Sequence, residues 1–244
     1  MRKIAHYVLS ICFLLLFWHI LSLFVNSSAL PSPLQAIDLF IQNIRDIIPA
    51  FGVSAYRVVA GLFIGAALAT PLGLYLGRHE TADAIAAPLL YVLYPLPKIV
   101  LLPILLVFLG LADAPKIALI ALTTFFQTLI SVRDATKHVP PESIEVLRSL
   151  GASRISTYIH AVIPAALPDL FTALRVSSGT AIAILFFAES IAGSSGLGYF
   201  IIDSWGLLDY SRMFAGIIAM AIMGVVMYEI FDIVEKKLIR WKNN

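Results

Sequence analysis

Apolar residues in this chain come in long blocks, and polar residues gather between the blocks rather than alternating with them. Residues 4–25, 58–77, 117–132, about 169–191 and 213–234 are blocks of this kind. They approach the roughly 20 residues needed to cross about 30 Å of hydrocarbon. The stretch 84–112 is equally apolar apart from Lys98, but Pro88, Pro95, Pro97 and Pro103 interrupt it. Two spans of about 14 residues each would be too short for a bilayer. The pattern predicts one span there, kinked or preceded by a re-entrant piece whose irregular backbone faces protein or a cavity. The chain therefore reads as all-α, a polytopic membrane protein with six transmembrane helices forming a single domain over residues 1–244.

Two shorter patterns refine that outline. Ser32-Pro33-Leu34-Gln35 fits a capping box with proline at the first helical position, and Leu34, Ile37, Ile41, Ile44 and Ile48 then share one helical face. They predict one amphipathic helix, at the membrane surface or against the bundle. Gly61, Gly65, Gly73 and Gly77 place small residues four apart in the second span, a spacing that lets helices approach closely. Packing within the chain and a seam with a second copy both fit that spacing.

The segment 133–165 is too polar for the membrane and predicts helix, turn, helix. Pro141 suits the first helical position, and Glu142 lies where the positive end of the helix favours an acid. Ile144, Val146, Leu147 and Leu150 are expected to form one apolar side. Gly151 falls where a left-handed residue ends the first helix, Ser153 is placed to cap the second, and Pro164 to end or kink it.

Composition agrees with the pattern: 60% of residues are hydrophobic and 13% charged. The lone cysteine, Cys12, excludes a disulfide framework, and no leader cleavage site clearly follows the first apolar run, which reads as a retained anchor. With six spans and both termini in the cytoplasm, eleven of the 17 basic residues fall on the inner side: Arg2, Lys3, Arg78, Arg133, Lys137, Arg148, Arg154, Lys236, Lys237, Arg240 and Lys242. Arg45, Arg57, Lys116 and Arg212 fall outside, and Lys98 and Arg175 lie within spans. Positive residues mark the cytoplasmic side, so the 133–165 loop is expected there. No Gly-x-x-x-x-Gly-Lys-Ser/Thr phosphate loop occurs, and Gly193-Ser-Ser-Gly196-Leu-Gly198 opens no dinucleotide fold. His6, His19, His79, His138 and His160 are scattered without metal-ligand spacing, so neither a catalytic set nor a metal site is expected, nor a nucleic-acid partner.

Ionisable residues inside spans are expensive and are candidates for function. Helix rise sets Arg175 about 9 Å inward from Asp169, and Glu189 about 30 Å from it. Lys98, Arg175 and Glu189 are thus candidates for a translocation path, with the two cations favouring an anionic solute. Pairing of Arg175 with a neighbouring carboxylate, or its reaching to the inner interface, is the alternative, and pairing outweighs substrate contact.

Glu145, Gly151, Ile163 and Pro164 stand at the spacing of the EAA loop, and the chain resembles the permeases of ABC importers on that ground. Val146 and Leu147 replace the usual alanines and Ala161 the usual isoleucine. The resemblance continues at Leu30-Pro31-Ser32-Pro33, Tyr94-Pro95-Leu96-Pro97, Ala166-Leu167-Pro168 and Ser195-Gly196-Leu197-Gly198-Tyr199, covering most of the chain. These motifs look like the branch serving nitrate, sulfonates, taurine, bicarbonate and related small molecules. The resemblance implies a type I importer permease fold in the inner or plasma membrane. It also implies two ATPase subunits carrying ATP and Mg, a second permease copy, an extracytoplasmic substrate-binding protein, and no cofactor in this chain. The coupling residues it implies are Glu142, Glu145, Leu147, Arg148, Leu150, Gly151, Ala152 and Pro164. A secondary transporter working without an ATPase, an importer of a neutral vitamin precursor and a membrane-embedded enzyme are the rival readings.

Overall fold

The computed structural model describes residues 2–25, 27 and 29–239, without the side chains of 2–8, 10 and 11. Arg240 and Lys242, counted above as inner cations, lie outside the described residues, as do the side chains of Arg2, Lys3 and His6. Among the described residues every regular element is helical. The order is α1 Arg2–Val25, α2 Pro33–Gln42, α3 Ile44–Leu76, α4 Glu80–Leu93, a 3-10 turn Lys98–Leu101, α5 Leu102–Leu109, α6 Ala114–Lys137 and α7 Pro141–Ser149. Then come α8 Arg154–Thr157, a π turn Tyr158–Val162, α9 Ile163–Ala192, α10 Leu197–Gly206 and α11 Tyr210–Leu238.

Among the described residues, four helices are long and apolar enough to cross a membrane: Ile44–Leu76, Ala114–Lys137, Arg154–Ala192 and Tyr210–Leu238. The pair Glu80–Leu93 and Lys98–Leu109 adds a fifth if its 84° bend is one broken span, as the prolines of 84–112 led us to expect. α1 covers the first apolar run with 24 residues, about 36 Å of helix. The expected six therefore needs both α1 and the bent pair. Phe63, Leu68, Val107, Phe108 and Val225 are exposed while Thr124, Thr128, Ser177 and Glu189 are buried, the inverse of a soluble protein.

The amphipathic segment differs from its prediction. α2 ends at Asn43, whose side-chain amide donates to the Leu39 carbonyl at 2.8 Å, and the Asn43 carbonyl then accepts from Asp46 and Ile47 to start α3. Asn43 thus closes one helix and opens the next, competing with the helical ladder as short amides do. Ile44 and Ile48 belong to the long helix of the second span. The Ser32 capping box is present, with Ser32 Oγ receiving the Gln35 N–H and Gln35 Oε1 receiving the Ser32 N–H.

The chain folds as two compact units, residues 1–54 with 189–223, and residues 55–188 with 224–244. In the first, Ala36, Ile47, Leu197, Phe200 and Ile201 are buried, Trp18 stacks on Phe214, and a Cβ at Gly216 would meet Ile201 Cγ1 at 2.7 Å. α10 therefore lies close against the start of α11.

The second unit is organised on a seam between α3 and α6. Gly61, Gly65, Ala69 and Gly73 on α3, with Gly77 just past its end, recur every four residues, and Ile120, Thr124, Thr128, Val132 and Thr136 do so on α6. An added Cβ would meet Ile120 Cγ2 at 2.5 Å from Gly61, the Ala121 carbonyl at 2.5 Å from Gly65, Val132 Cβ at 3.0 Å from Gly73 and the Arg133 carbonyl at 2.6 Å from Gly77. The small residues thus serve packing within the chain. Close backbone approach replaces the hydrophobic drive that lipid cannot supply. Gly65→Leu overpacks this seam, at a cost of about 1–3 kcal/mol or more. Its melting temperature in detergent should fall clearly, whereas Gly52→Ala, with open space around its Cβ, should leave it unchanged.

Ala69, Leu76, Leu90 and Leu129 form one core of this unit, and Leu102, Leu119 and Ala188 another. Backbone carbonyls are freed at the break between α4 and α5 and again in the turn between α5 and α6, and a buried lysine takes them up at each place. Lys98 Nζ donates to the carbonyls of Leu93 at 2.7 Å and Tyr94 at 2.5 Å. Lys116 Nζ does the same for Leu111 at 3.0 Å and Ala112 at 2.9 Å. Each lysine reaches back four and five residues. This is how irregular backbone persists at membrane depth.

Candidate functional site

The turn predicted at Gly151 is built by local chemistry. Pro140 has the extended backbone favoured before proline, and Pro141 opens α7 with Glu142 in its first turn. Leu150 caps the helix, the Gly151 N–H donates to the Arg148 carbonyl at 2.9 Å, and the Ala152 N–H to the Leu147 carbonyl at 3.0 Å. These two bonds with Gly151 at φ +80° make a Schellman motif. Leu147 and Ala152, which that motif joins, are both half-buried. Ser153 then caps α8, its Oγ accepting from the Ser156 N–H at 3.2 Å.

The apolar residues of α7 do not share one side. Ile144 is buried and Leu147 half-buried, whereas Val146 is 59% exposed and Leu150 79%. Two residues of helix turn through about 200°, so Val146 and Leu150 oppose Ile144. One pair anchors the helix, and the other forms an outward apolar ridge flanked by exposed Glu142 and Glu145, with Arg148 exposed on the opposite side and Arg154 and Ile155 exposed beyond the turn.

Pro164 does not end the second helix. Its ring has no N–H for the His160 carbonyl, and the turn before it widens to π, with the Ile163 N–H reaching the Tyr158 carbonyl. Helix runs on through Arg154–Ala192, so the stretch between long helices is 138–153, shorter than the predicted 133–165.

The three ionisable residues placed in spans are each held within their own unit. Lys98 caps α4 and lies 4.8 Å from the centre of the Phe126 ring. Arg175 pairs with Glu235 and lies 3.6 Å from Asp232 and 5.4 Å from the centre of the Tyr228 ring. Glu189 is fully buried, accepting the Ser54 hydroxyl at 2.9 Å and the Gly198 N–H at 2.8 Å, while Ser54 Oγ receives the Leu197 N–H at 2.8 Å. The carboxylate and hydroxyl together receive the first N–H groups of α10, where the helix dipole favours negative charge.

Two ion pairs were not foreseen as a site. Arg57 Nε and Nη2 both donate to Asp113 Oδ1, at 2.8 and 2.5 Å. Asp83, in the first turn of α4, accepts from Arg133 Nε, from Arg133 Nη2 at 2.8 Å and from Lys137 Nζ. The available signal was an acid and two cations on the same predicted side of the membrane, within segments otherwise apolar.

Residues 69–240 match the family described as "Binding-protein-dependent transport system inner membrane component". The chain is 30% identical over 222 residues to SsuC of Bacillus subtilis strain 168, named for aliphatic sulfonates transport, with 90% of this chain and 80% of that protein covered. It is 28% identical over 236 residues to the taurine transport system permease protein TauC of Escherichia coli K12, covering 93% and 86%. It is 27% identical over 238 residues to the nitrate import permease protein NrtB of a Synechocystis strain, covering 92% and 86%. Its fold is similar to a chain of the inward-facing MetNI methionine ABC transporter, with TM-score 0.66, 18% identity and coverage of 80% of this chain and 97% of that one. A secondary transporter and a membrane-embedded enzyme are set aside by these matches. The chain belongs to the inner-membrane components of binding-protein-dependent transport systems, and it is a non-catalytic permease subunit of an ABC importer.

Proposed function

We infer that this permease imports a small solute bearing an anionic group, of the sulfonate, taurine or nitrate kind, and is driven through α7 by a partner ATPase that carries the ATP and Mg. The observation that carries the coupling role is the outward ridge of Val146 and Leu150, fixed in direction by the Schellman turn at Gly151. A short anchored helix with one apolar face outward suits a groove on another protein. Glu142 and Glu145 flank the contact, Arg148 with Leu147 and Ala152 braces the turn through the bonds of the Schellman motif, and the π turn before Pro164 joins it to α9. The anionic solute is supported by the names of the relatives.

The 244 residues act as one permease domain. It sits in the inner membrane with both termini cytoplasmic, beside a second identical copy and beneath an extracytoplasmic binding protein. Ion pairing supports the topology. Asp83 with Arg133 and Arg57 with Asp113 each join groups that the topology places on a common side. Lys98, Arg175 and Glu189 each brace their own unit, Lys98 at the α4 break, Arg175 against α11 and Glu189 at α10.

Gentle detergent pulldown of the tagged chain should recover an ATPase, and Leu150→Asp or Glu145→Lys should lose it without loss of membrane insertion. The reconstituted complex should then accumulate one of taurine, an alkanesulfonate or nitrate with ATP and its binding protein. Solute uptake by the isolated chain in liposomes without ATP would sink the reading.

A further inference from the structure

We propose that Asp83 is the positioning residue of a joint that carries movement of α7 to the broken span α4–α5. The proposal rests on the coupling role inferred for α7.

The last turn of α6 is held on two sides. Arg133 and Lys137, one turn apart, both donate to the Asp83 carboxylate at the start of α4. The backbone of the same turn lies against Gly77 near the end of α3, where a Cβ would meet the Arg133 carbonyl at 2.6 Å. Only residues 138–140 separate Lys137 from α7, and Val139 among them is buried. A push on α7 therefore reaches the 133–137 turn with little slack, and Asp83 is the ionic grip by which that turn holds α4.

α4 is suited to pass the movement on. Its Leu90 packs in one core with Leu129 of α6. Beyond its end, Lys98 holds its last carbonyls and lies over the Phe126 ring. The helix is a strut with its ionic end beside the loop and its other end at the 84° bend. Without the carboxylate, the start of α4 loses its charged grip and is left to the apolar packing of Ala82, Ala86 and Leu90. A purely stabilising pair would need no such place. Asp83 and Arg133 are buried, side chains 10% and 7% exposed, at the one turn that leads into α7.

The test uses the full chain assembled with its ATPase in nanodiscs. Cys12→Ser with Leu96→Cys puts an environment-sensitive fluorophore at the α4–α5 break, where Leu96 is 52% exposed. Vanadate trapping with ATP should shift the emission when Asp83 is present. Asp83→Asn should keep the ATPase bound and hydrolysing but reduce the shift at least threefold, and Asp83→Glu should restore it. Should Asp83→Asn fail to assemble, Lys137→Met keeps the Arg133 pair and should lower the shift by about half. An unchanged shift in assembled Asp83→Asn, in Lys137→Met when that variant stands in, or no shift with Asp83 intact overturns the joint. Failure of the chain with Asp83 intact to retain any ATPase overturns instead the coupling role on which it rests.

Discussion

Gly196→Val is expected to abolish import by collapsing the start of α10. Gly196 sits at φ +99° and ψ 171°, a region open to glycine and costing other residues about 1–3 kcal/mol. A Cβ there would also fall on the Glu189 carboxylate, with Oε2 at 2.6 Å. That carboxylate is fully buried and accepts the Ser54 hydroxyl and the Gly198 N–H. Displacing it leaves a buried charge without its partners, a loss of about 3–5 kcal/mol. Stability in detergent should therefore fall in a set order. Gly196→Val loses most and Glu189→Ala less, since the buried charge is removed and only the Ser54 hydroxyl and the Gly198 N–H are left without their acceptor. Ser54→Ala loses about 1–3 kcal/mol through the unmet Leu197 N–H. Gly206→Ala, with nothing within 4 Å of its Cβ, should match the parent. Melting temperature and ATP-dependent uptake of the four variants read this order directly. A Gly196→Val protein as stable as Gly206→Ala would mean the Glu189 clamp does not hold α10.

Glu189 also illustrates how far the residues alone lead. Its position in an apolar run made it visible, because a charge there is costly wherever the chain goes. Its work was not visible, because the partners lie at Ser54, 135 residues earlier, and in the backbone of the next helix. Lys98 is the same case. The prolines around it predicted a break, yet a lysine bonding the freed carbonyls is legible only once the break has its shape. Features decided within one turn of helix were readable: the Ser32 capping box, Pro141, the Gly151 turn and the Ser153 cap. Those decided by competition between neighbours were not. Asn43 splits a continuous apolar stripe because its amide bonds its own helix end, and Pro164 widens a turn rather than stopping the helix because α8 is already aligned with α9. The glycines showed a tight seam, but Ala69 and the matching four-residue ridge on α6 gave it a partner.

Gly151→Val should separate transport from folding, because the strain at Gly151 differs in kind from that at Gly196. Nothing lies within 4 Å of a Cβ at Gly151, so added bulk is not the obstacle. The obstacle is φ +80°, where a side chain costs about 1–2 kcal/mol and a β-branched one is a genuine outlier. The chain relieves it by giving up the bonds from Gly151 to Arg148 and from Ala152 to Leu147, which set the direction of α7. No buried core residue takes part in those two bonds, so insertion and melting temperature should stay near the parent's. Leu150, which stands at the turn, should be re-aimed, and binding-protein-stimulated ATP hydrolysis in the assembled complex should fall at least tenfold. The order among substitutions tests the cause. Asparagine tolerates the left-handed region and should keep most coupling, alanine should fall between, and valine should lose most. Loss of coupling that followed side-chain size instead, with asparagine worse than alanine, would place the obstacle in space rather than in backbone direction. Full coupling by the valine variant would remove the turn at Gly151 from the transmission path, since the bonds it breaks would then set no direction that the ATPase reads.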